Sequence, residues 1–190
     1  APPWPTLLAR ARYLRARGLT YFEARDMLIH AFAGDILDRV KIEPLRLALE
    51  SELYTQLAKK AGFNCDVTSY APFPPNANND DVVEMTCSNR PDGAVGVFPV
   101  RAGQAAVIYD CAHSELVGYR CTKSDAAQAY PHLTDELKAL GKTTCAVSKA
   151  RAVGVTADKR AFIEVACADG GQGYMIEYAM APLTPKTASR

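Results

Sequence analysis

Residues 63–87 read FNCDVTSYAPFPPNANNDDVVEMTC, and residues 143–167 read TTCAVSKARAVGVTADKRAFIEVAC. Each stretch sets two cysteines 22 positions apart, and the second begins 80 positions after the first. Sliding the chain by 80 against itself brings Leu53 onto Leu133, Leu57 onto Leu137, Cys65 onto Cys145 and Val67 onto Val147. Further on, Glu84 falls on Glu164, Cys87 on Cys167 and Gly93 on Gly173, while Val82 and Val83 meet Phe162 and Ile163. A fixed period marks one structural unit used twice. Each copy reads as a helix, a Cys-x-Val strand, a variable loop, a strand ending in cysteine, a glycine turn and another strand. YTQLAKKAGFNC and TDELKALGKTTC are the helical leaders, and Thr134 is the expected cap of the second.

Upstream of the repeat the texture is helical. PTLLARARYLRAR runs to Gly18, and Thr20 with Glu23 three residues on forms a capping box for the next helix. In YFEARDMLIHAFAG the residues Phe22, Leu28, Ile29 and Phe32 recur at helical spacing, Gly34 closes the run, and DILDRV continues it briefly. The next helix has Pro44 near its start and Gly62 at its end. Its Leu45, Leu49, Leu53 and Leu57 form one apolar stripe. From residue 63 onward short β-rich runs appear, namely DVVEMTC, AVGVFPV, AAVIYDC, AFIEVAC and GYMIEYAM, separated by Gly, Pro and Asn turns. The tail APLTPKTASR shows no core-forming pattern and reads as frayed.

The repeat selects a cysteine pairing. Equivalent positions should pair alike, so Cys65 joins Cys87, Cys145 joins Cys167, and Cys111 and Cys121 take each other. Closing a loop of about 20 residues contributes roughly 3 kcal/mol in the chain-entropy model. Two other readings compete. Zinc sites favour cysteines roughly two to four residues apart, whereas the spacings here are 22, 10 and 22. A catalytic thiol needs a neighbouring histidine, and of His30, His113 and His132 only His113 stands near a cysteine, Cys111. His113 itself reads as a surface-turn residue, His30 as a packed or boundary one. Disulfides are the preferred reading, and they imply an oxidising compartment.

Other motifs carry little chemistry. DGGQG (169–173) lacks the lysine of a phosphate-binding loop and reads as a hairpin turn. NNDD (78–81) lacks a calcium-loop pattern. Glu84 and Glu164 alternate with apolar neighbours and read as solvent-face residues rather than a carboxylate pair. With 48% apolar and 23% charged residues the chain has the composition of a folded globular protein, and its net charge of +1 gives no reason to expect nucleic acid. No run approaches the roughly 18 apolar residues of a membrane span. The chain starts APPWP rather than with Met, as it would after a small-residue cleavage site or equally at a boundary cut within a longer chain. LARARYLRARG (8–18) carries four arginines and no acid, which reads first as a solvated helix face and second as a phosphate-binding patch.

Residues 11–57 raise a second theme. YLRARGL (13–19), EARDMLIHAFAGDIL (23–37) and IEPLRLALE (42–50) resemble the C-terminal helical segment of the SufB/SufD scaffold family of iron–sulfur cluster assembly. The resemblance covers about a quarter of the chain and implies a helical face that engages the SufC ATPase in the cytosol. It implies no cluster ligand, because the family's β-helix has no counterpart here. The cysteine repeat of residues 52–190 loosely resembles uncharacterised secreted alphaproteobacterial proteins, which implies no activity.

The sequence therefore predicts an α+β protein: a helical segment over 1–51, a cysteine-containing α/β repeat over 52–132, and a second, apparently truncated repeat over 133–190. The predicted role is a non-catalytic, extracytoplasmic (periplasmic or secreted) binding or structural subunit. Arg12, Arg15 and Arg17 would meet a protein partner. No metal, cofactor or small-molecule substrate is expected. The alternative is a cytoplasmic Suf-type accessory that docks an ATPase partner through the N-terminal helices.

Overall fold

The computed structural model describes residues 7–25, 27–29, 40–101, 103–180 and 183–190. It combines helices with two four-stranded antiparallel sheets and three disulfides. Helix α1 spans Leu7–Ala16, residues 21–25 and 27–29 are also helical, and α2 spans Glu43–Lys60. The first sheet follows, with β1 Val67–Pro72, β2 Asp81–Cys87, β3 Ala94–Phe98 and β4 Val107–Asp110 in that order. A connector with two 3-10 turns, Ser114–Val117 and Ala126–Ala129, leads to α3, Tyr130–Ala139. The second sheet is again in chain order: β5 Val147–Val155, β6 Arg160–Cys167, β7 Tyr174–Met180 and β8 Leu183–Ser189. No helix among the described residues is long and apolar enough to cross a membrane. His30, Phe32 and Gly34, with most of DILDRV, lie outside the described residues.

The two sheets match residue by residue at the 80-residue offset. Met85 pairs with Ala94 and Val83 with Gly96 in the first; Val165 pairs with Tyr174 and Ile163 with Ile176 in the second. Both first strands carry the same irregularity, between Val67 and Ser69 and between Val147 and Lys149. The match extends to β8. Val95↔Tyr109, Gly96↔Ile108 and Val97↔Val107 recur as Met175↔Ser189, Ile176↔Ala188 and Glu177↔Thr187. The frayed reading of the tail is thus corrected, since residues 183–189 form a paired edge strand. Its polar, Pro-bearing sequence gave no apolar alternation to read; β7 supplies its hydrogen-bond partners instead.

The helices match at 79 instead. The Phe63 amide donates to Ala58 O as Lys142 does to Leu137 O, and Gly62 donates to Lys59 O as Gly141 does to Lys138 O. Gly62 and Gly141 both hold the left-handed conformation, φ +79° and +80°, that ends a helix cheaply only at glycine. Thr55 Oγ1 accepts from Val67 N at 2.9 Å, and Thr134 Oγ1 accepts from Val147 N at the same distance. Thr134 is therefore not a helix cap but an interior tie between α3 and β5. The coincidence of Leu53 with Leu133 and Leu57 with Leu137 is one residue out of register: Leu133 takes the place of Tyr54, and Leu137 that of Ala58. The extra residue is absorbed between Gly141 and Cys145, where three residues stand against two between Gly62 and Cys65.

The apolar stripe on α2 also needs correction. Leu45 and Leu49 are 47% and 41% exposed, while Thr55 and Ala58 are buried and Tyr54 and Leu57 pack on the first core. Apart from the Tyr70 hydroxyl of β1, which donates to Glu50, the helix packs on its sheet through its second half, so the N-terminal part of the leucine stripe is left unused. The first core joins Ala58, Cys65, Val67, Val83, Met85, Ala94 and Phe98. The second joins Leu133 and Leu137 to Ile163, Val165, Ile176 and Tyr178, with Leu116 reaching in from the connector. Each fully buried Ile, Val or Leu contributes about 1.5–3 kcal/mol.

Candidate functional site: the connector between the sheets

The disulfides are Cys65–Cys87, Cys111–Cys121 and Cys145–Cys167, the pairs read from the repeat. No cysteine is free. Two of the bridges sit at equivalent places, each tying the entry of a sheet to the end of its second strand. The third closes the connector, which touches both units.

On the first sheet, the connector covers the face opposite α2. Val82, Glu84 and Val95 on that face are all fully buried. The amides of Thr122, Lys123 and Ser124 donate to the Glu84 carboxylate at 2.8, 2.6 and 2.9 Å, and Thr122 Oγ1 donates at 3.1 Å. Each carboxylate oxygen thus accepts two hydrogen bonds. A Cβ at Gly93 would lie 2.0 Å from Ser124 Oγ, so the close seating of this loop requires glycine there. Tyr119 packs at a tilt against Phe73, with 5.2 Å between ring centroids. Glu84 is therefore not on a solvent face, which corrects the sequence reading. Its counterpart Glu164 is partly exposed and pairs with Arg151. The opposing residues account for the difference: β1 offers Ala71 across from Glu84, whereas β5 offers Arg151 across from Glu164. Val82, Val83 and Met85, apolar on both faces of the strand around Glu84, were the available signal for a strand buried on both faces.

Toward the second sheet, the connector inserts His113, which is 6% exposed rather than on a surface turn. Its Nδ1 lies 2.8 Å from Asp110 Oδ1, and its Nε2 lies 3.2 Å from Glu136 Oε2 and 3.3 Å from Tyr178 Oη. The Tyr178 hydroxyl donates to the same Glu136 oxygen at 2.5 Å. Burial alone would push the His113 pKa down, but the hydrogen bonds and charges of Asp110 and Glu136 outweigh it and raise the value to about 9. Burial would likewise raise Asp110, yet its contacts with His113 hold it below the usual carboxylate range. The Tyr178 hydroxyl is pushed upward by burial and by Glu136. Beside this cluster, His132 Nε2 lies 3.2 Å from Asp92 Oδ2 and its Nδ1 lies 3.6 Å from Asp110 Oδ2. Arg90 pairs with Asp92 and lies over the Phe63 ring, 4.1 Å from its centroid.

A scan of protein-family models finds no match to this chain, and searches of curated proteins and of solved structures find none either. Neither the SufB/SufD resemblance nor that to secreted alphaproteobacterial proteins gains support from them.

Chemically, the arrangement holds groups in place. His113 keeps its proton at neutral pH and has both ring nitrogens engaged, so it has no lone pair to offer as a general base. Cys111 is in a disulfide rather than a thiolate. Glu84, Cys111 and Cys121 bring three potential metal-ligand atoms within 4.8 Å of one another, but the sulfurs are bonded to each other and the carboxylate is saturated by four donors. Arg12, Arg15 and Arg17 are exposed at the N-terminal helix, with the Arg17 guanidinium 4.7 Å from the Tyr13 ring centroid. They make no ion pair with the connector's carboxylates among the described residues. Thr20 and Glu23 form the expected reciprocal cap, Thr20 N donating to Glu23 Oε2 at 2.8 Å and Glu23 N to Thr20 Oγ1 at 3.3 Å.

Proposed function

We propose that this chain is a non-catalytic binding or structural subunit of an oxidising, extracytoplasmic compartment, built from a duplicated, disulfide-braced unit. The observation that carries the reading is the state of the cysteines, all six of them joined in pairs. Disulfides persist in the periplasm and outside the cell and are rare in the cytosol. Cys111 lies in a disulfide and both ring nitrogens of His113 are engaged, which favours holding over turnover by this pair. The contact surface we assign is the N-terminal segment, where exposed Arg12, Arg15 and Arg17 accompany Tyr13, Tyr21, Phe22 and Ile29, all at least half exposed. Arginine and aromatic side chains are enriched where proteins meet, and guanidinium groups take carboxylates in paired hydrogen bonds. Replacing Arg12, Arg15 and Arg17 together by glutamate is expected to reduce co-purification of protein partners from the cell envelope at least tenfold while leaving the three disulfides intact. Equal recovery of the same partners by the variant would overturn this assignment.

A further inference from the structure

We infer that the Cys111–Cys121 disulfide is a redox-sensitive latch, whose reduction frees residues 121–124 from Glu84 and opens the outer face of the first sheet while both helix–sheet cores stay closed. Three observations converge on it. Cys65, Cys87, Cys145 and Cys167 all pack in one or other core, whereas Cys111 and Cys121 belong to neither. The latch closes a separation of 10 residues against 22 for the others, so it gains the least from chain entropy. Finally, the loop that the latch holds down supplies, among the described residues, every hydrogen bond to a fully buried carboxylate.

That last point makes opening cooperative. A buried carboxylate stripped of its donors is untenable and must reach water. Ala71 across the strand pair offers no side-chain substitute. Once residues 121–124 lift, Glu84 must follow toward solvent, and Val82 and Val95 on the same face are uncovered. The second sheet has no such dependence, because Arg151 serves Glu164 directly.

The chemistry is ordinary thiol–disulfide exchange with an external dithiol. Its thiolate attacks Sγ of Cys121, the more exposed of the two, and the Cys111 sulfur leaves as a thiolate and takes a proton. The second thiol of the reductant then displaces Cys121, so the dithiol ends as a disulfide and the protein gains two thiols. Titrating the full chain with dithiothreitol, trapping thiols by alkylation and mapping the peptides gives the order of reduction. Cys111 and Cys121 are expected to be alkylated first. Hydrogen exchange on the two-thiol species should then show the amides of Thr122, Lys123 and Ser124 at least tenfold faster, with α2, β2, α3 and β6 unchanged. A Cys111→Ser/Cys121→Ser variant should show the same exchange pattern without reductant. Reduction of all three disulfides together, earlier reduction of either of the others, or unchanged protection at 122–124 after reduction would each overturn the latch.

Discussion

His113 sits where two carboxylates and a phenol converge, and its charge state ties the connector to the second unit. Its folded pKa of about 9 stands above the value of 6.5 it has when free. The stability it contributes is therefore fully present below about pH 6.5 and is lost as pH rises through about 9. Asp110, held low by the same contact, contributes above its ordinary 3.8 and loses that as pH falls through its lowered folded value. Replacing His113 by Gln leaves Glu136 and Asp110 without their cation, and removing one partner of a buried ionic cluster costs about 3–5 kcal/mol. Urea unfolding at pH 6 should show a loss of that order. Between pH 7 and 10 the wild type should lose stability more steeply than the variant, and equal slopes would contradict the assignment. Little of this was legible beforehand. Asp110 and His113 are near neighbours in sequence, but Glu136 and Tyr178 lie 23 and 65 positions from His113, and no local pattern announces such a meeting. For Glu84 the reason is complementary: its strand neighbours are visible in the sequence, but the loop that buries it is not.

At the level of elements, the strands with β-branched and aromatic runs were legible and β8 was not. Residues 183–189 pair because β7 presents a free edge, and a short polar edge strand needs no apolar pattern of its own. The helices were legible as helices, yet of the leucine stripe Leu57 packs on the core while Leu45 and Leu49 are exposed. What fixes each helix against its sheet is the glycine that ends it, the threonine that ties it to the first strand and the loop length between. Leu137 meets the second core fully buried, whereas Leu49 is 41% exposed. Leu137→Ala should cost about 2–5 kcal/mol, and Leu49→Ala within roughly 0.5–1 kcal/mol. Chemical denaturation of the two variants separates them. Similar losses would show that Leu49 packs against the protein, contrary to its exposed place on α2.

For the whole molecule, the repeat explains why the chain carries the cysteine unit twice. A helix over four short strands makes a small core, and a bridge closing a 22-residue separation stabilises each copy by about 3 kcal/mol. The connector then joins the copies by lending Leu116 to the second core and three backbone amides to Glu84 in the first sheet. The cysteine pairing was readable because two copies constrain each other; the joining was not, since the connector has no second copy to compare. The reading as an extracytoplasmic subunit rests on those disulfides being formed in the protein at work. The most direct measurement is intact mass after alkylation of the protein taken from its native cells, without and with reduction, followed by peptide mapping. No alkylation is expected before reduction, six alkylated cysteines after it, and linked peptides joining 65–87, 111–121 and 145–167. Six thiols alkylated without reduction would contradict it and return the protein to a reducing compartment.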